Sequence, residues 1–269
     1  MGHRWLIGLC SYLVVLALGL GSPPLRAAMP LQPLSAVAGL PNWPAQNSTA
    51  IPPKLLKEGS VDDQIPRTGA PSIPIAPRQV QALAHPTNYG DRFLTDANGQ
   101  PVRNQFIVVL HETVGSAQSA LNLFRTPHPR DQDQVSYHSL ISRDGTVYYI
   151  VPPEKRAFGA GNSVFSGAEG PETVLTNTSF PPSVNNFAYH VSLETPRDGF
   201  NHRLSHSGYT QAQYNSLAWL LAQTTIPDSR ITTHQAVDRS GTRRDPRSLN
   251  LQRFLALLRR YPSRTELVG

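Results

Sequence analysis

"QFIVVLH", Gln105 to His111, has an unbroken apolar centre and a histidine at its end. A short continuous apolar run of this kind is the mark of a strand covered on both faces. Around it the pattern alternates. "SAQSALNLF" (residues 116–124) places Ala117, Ala120, Leu121 and Phe124 at helical spacing. "VSYHSLISRDGTVYYIV" (residues 135–151) reads as two strands joined at Arg143-Asp144-Gly145-Thr146, and Asp-Gly is a strong hairpin signal. A further strand is expected over residues 187–195 of "NNFAYHVSLET". "YTQAQYNSLAWLLAQTT" opens with Thr210 and has Gln213 three residues on, a capping box ahead of Leu217, Leu220 and Leu221 on one helical face. Residues 231–233 form a short β-branched strand, and "LNLQRFLALLRRY" a closing helix. Strands alternating with helices around a buried strand define an α/β fold, a mixed central β-sheet flanked by helices.

Upstream of that region the composition changes. The chain has 269 residues, a net charge of +6, one cysteine and 25 prolines. Proline is about 9% of the chain, nearly twice the usual share, and is concentrated before residue 87, with pairs at 23–24 and 52–53 and "PSIPIAP" at 71–77. Such spacing forbids helix and favours extended chain. Ahead of it, a short basic start, the apolar run "WLIGLCSYLVVLALGL" and small residues at Ala27 and Ala28 have the three-part layout of a secretory signal peptide. A retained signal anchor is the alternative. The expected organisation is a signal peptide at 1–28, a largely disordered Pro-rich linker at 29–87, a catalytic-type domain at 88–262 and a tail at 263–269. Export to the periplasm or cell wall follows, with contact to membrane only through an uncleaved signal. The basic balance suits an anionic polymer, but no basic helix, RNP-like aromatic pattern or paired cysteines point to nucleic acid. Cys10 falls in the signal segment, so the mature chain would have no thiol and any metal would rest on His, Asp or Glu.

The nine histidines narrow the site. His3 lies in the signal and His85 in the tether, while His128 sits between two prolines as a loop residue. His202 and His206 in "HRLSH" have the spacing of a helical zinc pair, but Pro196, Gly199 and Asn201 argue against a helix. G-x-S-x-G and glycine-rich phosphate loops are missing, which removes serine hydrolases and nucleotide enzymes of those types. His111 closes the buried strand, His234 closes the strand at 231–233, and Asp245 follows on a loop that must return toward the sheet. Two imidazoles and one carboxylate make a three-ligand zinc site with its fourth position open to water.

Four successive blocks carry a resemblance: "VSYHSLISRDGTVYYIVPPEKRAFGAG", "NNFAYHVSLET", "YTQAQYNSLAWLLA" and "THQAVDRSGTRRDP". Between Asn104 and Tyr261 the chain resembles the type 2 N-acetylmuramoyl-L-alanine amidases, with the blocks in the family's order. That resemblance implies one zinc ion per chain on His111, His234 and Asp245. It puts Glu194, at the end of "VSLE", in the place of the catalytic glutamate, where a carboxylate beside a zinc-bound water could pass its proton to the leaving amine. Arg243 takes a position where a lysine is common and could steady the oxyanion, with Arg244 competing for that role. Tyr137 matches a tyrosine that phage members place beside the metal. Gly159 stands where histidine is frequent, Glu112 where asparagine or histidine is more familiar, and the His234–Asp245 loop is one residue longer than in the anhydromuropeptide type. The implied activity is zinc-dependent hydrolysis of the bond between N-acetylmuramic acid and L-alanine, by a monomer acting on peptidoglycan or muropeptides. A non-catalytic peptidoglycan receptor of the same fold is the alternative, and such receptors lack one or more of the three ligands.

Overall fold

The computed structural model describes Leu40 and residues 76–265. The chain runs from β1 (Gln79–Gln81) and β2 (Tyr89–Asp91) into β3 (Ile107–Glu112), the strand expected from "QFIVVLH". Helix α1 (Ala117–Arg125) follows, then β4 (Ser139–Ile141), β5 (Val147–Tyr149) and β6 (Lys155–Ala157). β7 (Phe165–Gly167) and β8 (Gly170–Glu172) form a small ribbon before β9 (Ala188–Leu193). The last elements are α2 (Gln211–Leu221), β10 (Ile231–Thr233), α3 (His234–Val237), α4 (Leu251–Leu258) and α5 (Pro262–Thr265).

Among the described residues six strands make one mixed sheet in the order β1-β5-β4-β9-β3-β10. β3 and β9 lie inside it, parallel over six residues, and all twelve of their residues are buried. A strand without a solvent face needs no polar alternation, which is why β3 reads as a continuous apolar run. β4 and β5 form the antiparallel hairpin. Gly145 turns it at φ +87°, and a β-carbon there would come within 2.9 Å of the Ser216 hydroxyl, so both conformation and space call for glycine.

The two sheet faces are packed differently. On one, Val108, Leu110, Ile141, Val191 and Leu193 meet Leu217, Leu220 and Leu221 of α2 and Phe254 and Leu258 of α4. α2 begins with the capping box expected from Thr210 and Gln213. On the other face, Leu140 packs with Leu121 and Phe124 of α1, whose N-cap is Ser116, while Ile107, Val109 and Ala188 pack with Phe187 and Val237. Between these two apolar groups lie buried polar side chains from β3, β9 and the segment before β4. They form the floor of the candidate site.

The domain limits differ from the sequence expectation at both ends. Residues 76–87 are not linker. β1 pairs with β5 in the main sheet, Ala82 and Ala84 are buried against α1 and the β4–β5 region, and His85 caps a short 3-10 turn. An edge strand tolerates flanking prolines because only one side of it has to pair, so proline density overstated the tether. Leu40 also contributes to the core beneath α2 and α4. At the other end Ser263 and Arg264 belong to α5, and the Arg264 guanidinium is buried, bonded to Asp228. The signal segment, residues 1–28, and the rest of the linker fall outside the described residues.

Candidate metal centre

Parallel pairing builds the site. β10 runs beside β3 with Thr233 level with Leu110, so the next residue of each chain segment, His234 and His111, emerges at the same sheet edge. His234 is the first residue of α3 and not the last of the strand, because the Thr233 hydroxyl caps that turn. The loop that follows is folded by Asp238, whose carboxylate accepts from the backbone N–H of Ser240, Thr242 and Arg243. It returns to α3, where the Asp245 carbonyl accepts from Gln235 N–H. From behind, Arg247 is clamped by Glu112, the residue after His111: backbone N–H and guanidinium both donate to Oε1, and the pair is buried.

The result is a three-donor cluster. Asp245 Oδ2 lies 3.2 Å from His111 Nδ1 and 3.0 Å from His234 Nδ1, and the ligand atoms all fall within 4.8 Å of one another. Tetrahedral zinc with bonds of about 2.0–2.1 Å spaces its ligands about 3.3 Å apart, so the donor set fits that ion in kind and in size. Burial pushes the Asp245 carboxyl up, but its contacts with His111 and His234 outweigh that and hold it well below the usual carboxylate range. Burial lowers His111 to about 4, against the pull of Asp245. Both shifts keep His111 neutral and Asp245 ionised at neutral pH, the states in which such groups can bind a metal.

The other expected residues divide. Tyr137 stacks on His111 with ring centroids 4.4 Å apart and lines the same cleft as His234, Asp245 and Arg243. Burial, with Asp245 adding to it, raises the tyrosine hydroxyl well above its ordinary value, so it stays a neutral donor. Arg244 is exposed and does not line the cleft, which separates it from Arg243. Glu194 is not brought to the metal cluster. Its Oε1 accepts from Ala117 N–H at the start of α1 and its Oε2 from Arg143 N–H, in a different depression. The β9 residue level with His111 is Ser192. Two residues further along a strand is about 6.6 Å, which carries the Glu194 carboxylate past the sheet edge and onto the helix terminus.

Of two further side chains beside the cluster, His190 was not singled out from sequence and Glu112 was noted only as a departure from the family's usual residue. His190 lies in contact with His111, and Glu112 anchors Arg247, His206, Tyr209 and Thr195 together. Period-two alternation along "AYHVSL" puts His190 and Ser192 on one face, which is the signal that could have found the first. His206, one of the "HRLSH" pair, turns inward to Glu112, while His202 is exposed.

The profile of the N-acetylmuramoyl-L-alanine amidase family matches residues 99–248, more than half of the chain. The chain belongs to that family, and is an amide hydrolase of the peptidoglycan class. Similar solved structures include a crystal structure of AmpD at 24% identity, covering 68% of this chain and 94% of that one, TM-score 0.46. The solution structure of Citrobacter freundii AmpD shares 25% identity over 68% of this chain and 90% of that one, TM-score 0.41. The Clostridium intestinale N-acetylmuramoyl-L-alanine amidase LysC shares 17% over 68% and 99%, TM-score 0.40. No curated protein matches the chain by sequence.

Proposed function

We propose that the protein is an exported zinc amidase that cleaves the amide between N-acetylmuramic acid and the L-alanine of the stem peptide. The observation that carries this is the donor cluster of His111, His234 and Asp245, the last two lining a cleft, in a member of this family. Bound there, zinc would supply Lewis acidity toward the scissile carbonyl and activate water at neutral pH. The chain's own residues do the rest. His111 and His234 direct Nδ1, and Asp245 directs Oδ2, to one point, so that each would give a lone pair to the ion. Tyr137 stays protonated and offers its O–H to negative charge developing in the cleft, and Arg243 brings a cation to the same wall. Export to the periplasm or cell wall, and action as a monomer, are part of the proposal; the first rests on the signal-like pattern of residues 1–28.

One observation favours a second reading, a non-catalytic peptidoglycan receptor. The strand-end glutamate is diverted to α1, and Ser192 stands level with His111. The complete ligand set favours the enzyme. Incubating the purified protein with wall sacculi, with and without chelator, separates the two. Free stem peptides with an L-alanine amino terminus, released only when metal is present, are expected. Sacculus binding without peptide release would establish the receptor instead.

A further inference from the structure

His190 reaches the metal centre from behind. Its Nδ1 lies 2.9 Å from His111 Nε2, while the other nitrogen of His111, Nδ1, faces Asp245. Both rings are wholly buried. A neutral imidazole carries a single N–H. If His111 is to offer its Nδ1 lone pair to a metal, its proton must sit on Nε2, and whatever faces Nε2 must accept. His190 Nδ1 is the group that stands there. Its own proton is thereby assigned to Nε2, a buried atom with no hydrogen-bond partner among the described residues. That cost needs a compensating purpose, since buried polar atoms are rarely left unpaired.

The ring is held in place by construction. The backbone N–H of His190 donates to His138 Nδ1 at 2.9 Å, the backbone N–H of His138 donates to the His190 carbonyl at 3.0 Å, and the two rings stack within 11° of parallel. Gly159 lies against the ring as well. A β-carbon on Gly159 would come within 2.7 Å of His190 Cγ and Nδ1, closer than such contacts occur. The space occupied by the imidazole therefore depends on a missing side chain 31 positions earlier in the sequence.

We propose that His190, seated in the slot left by Gly159, is a positioning residue that fixes the metal-binding tautomer and orientation of His111. The proposal rests on the zinc reading of the centre and deepens it. Partners of the second nitrogen of a metal-bound histidine typically contribute 10–100-fold to metal affinity.

The test is zinc affinity of the metal-stripped full-length protein, measured by competition with a chromogenic chelator, with metal-free melting temperatures recorded for every variant. His190→Leu keeps bulk but has no acceptor, and is expected to weaken zinc binding about 10–100-fold. His190→Asn places an amide oxygen near the former Nδ1, and is expected to stay within about threefold of wild type, well short of that loss. Gly159→Ala should weaken binding like His190→Leu, yet add nothing when combined with His190→Ala, because both act through one contact. Wild-type affinity in His190→Leu and Gly159→Ala would overturn the proposal and leave the zinc site standing. Equal losses in the Leu and Asn variants would overturn it too, leaving only ring packing. Failure of the wild type to bind zinc would remove the site reading and this proposal together.

Discussion

Glu194 follows β9 and is tied to the backbone of two other segments. Its two carboxylate oxygens hold the N–H of Ala117 and of Arg143, away from the donor cluster. Glu194→Gln should therefore leave zinc content and turnover close to wild type while lowering stability by about 1–2 kcal/mol, the scale of a lost charge-assisted bond. A collapse of turnover with stability unchanged would restore the proton-shuttle role. Tyr137→Phe should behave the other way. It removes one donor from the wall of the cleft, so kcat should fall about 10²–10³-fold, as for an oxyanion donor, with zinc retained. Unchanged kcat in that variant would exclude the tyrosine from the chemistry. The three candidate ligands could be picked out because His111 and His234 follow β-branched or apolar strands and Asp245 precedes a proline in a loop that has to return. Glu194 was misplaced because sequence tells which face of a strand a residue takes but not how far along the strand the site extends. His190 was passed over because its value lies in contact with a residue 79 positions away.

Between elements, the ion pair of Glu112 and Arg247 joins the end of β3 to the loop that carries Asp245. Arg247 also donates to the carbonyls of Gly199, Asn201 and Arg203, so the 199–203 segment is fixed by the same guanidinium. Removing one partner of a buried pair leaves the other charged and unpaired, which costs about 3–5 kcal/mol. Glu112→Ala is thus expected to destabilise the fold by about that amount in denaturant unfolding, and to weaken zinc binding by loosening Asp245. A change under about 1 kcal/mol, typical of an exposed pair, would show that the loop is held by other contacts. The elements themselves were largely readable: the apolar run gave β3, the Asp-Gly turn the β4–β5 hairpin and the capping box α2. β1 was not. Three residues between prolines carry too little pattern, and only pairing with β5 makes them a strand.

Taken as a whole molecule, the domain buries an unusual set of imidazoles. His111 is held down to about 4, and burial also lowers His138 and His190 well below 6.5. Between those values and the ordinary value the unfolded chain binds more protons, so stability rises with pH. The contribution is complete above about 6.5 and is lost as pH falls toward 4. The depressed Asp245 carboxyl works in the same sense at still lower pH. The metal-free protein should therefore melt at progressively lower temperature from pH 7 to pH 4.5, and a flat profile over that range would contradict the burial of neutral histidines. Metal analysis of the purified chain beside His111→Ala and His234→Ala tests whether His111, His234 and Asp245 hold one catalytic zinc. About one zinc per wild-type chain is expected, near none in either variant, and amide cleavage lost in step with the metal. Equal zinc in all three proteins, or full cleavage by a variant without zinc, would contradict it.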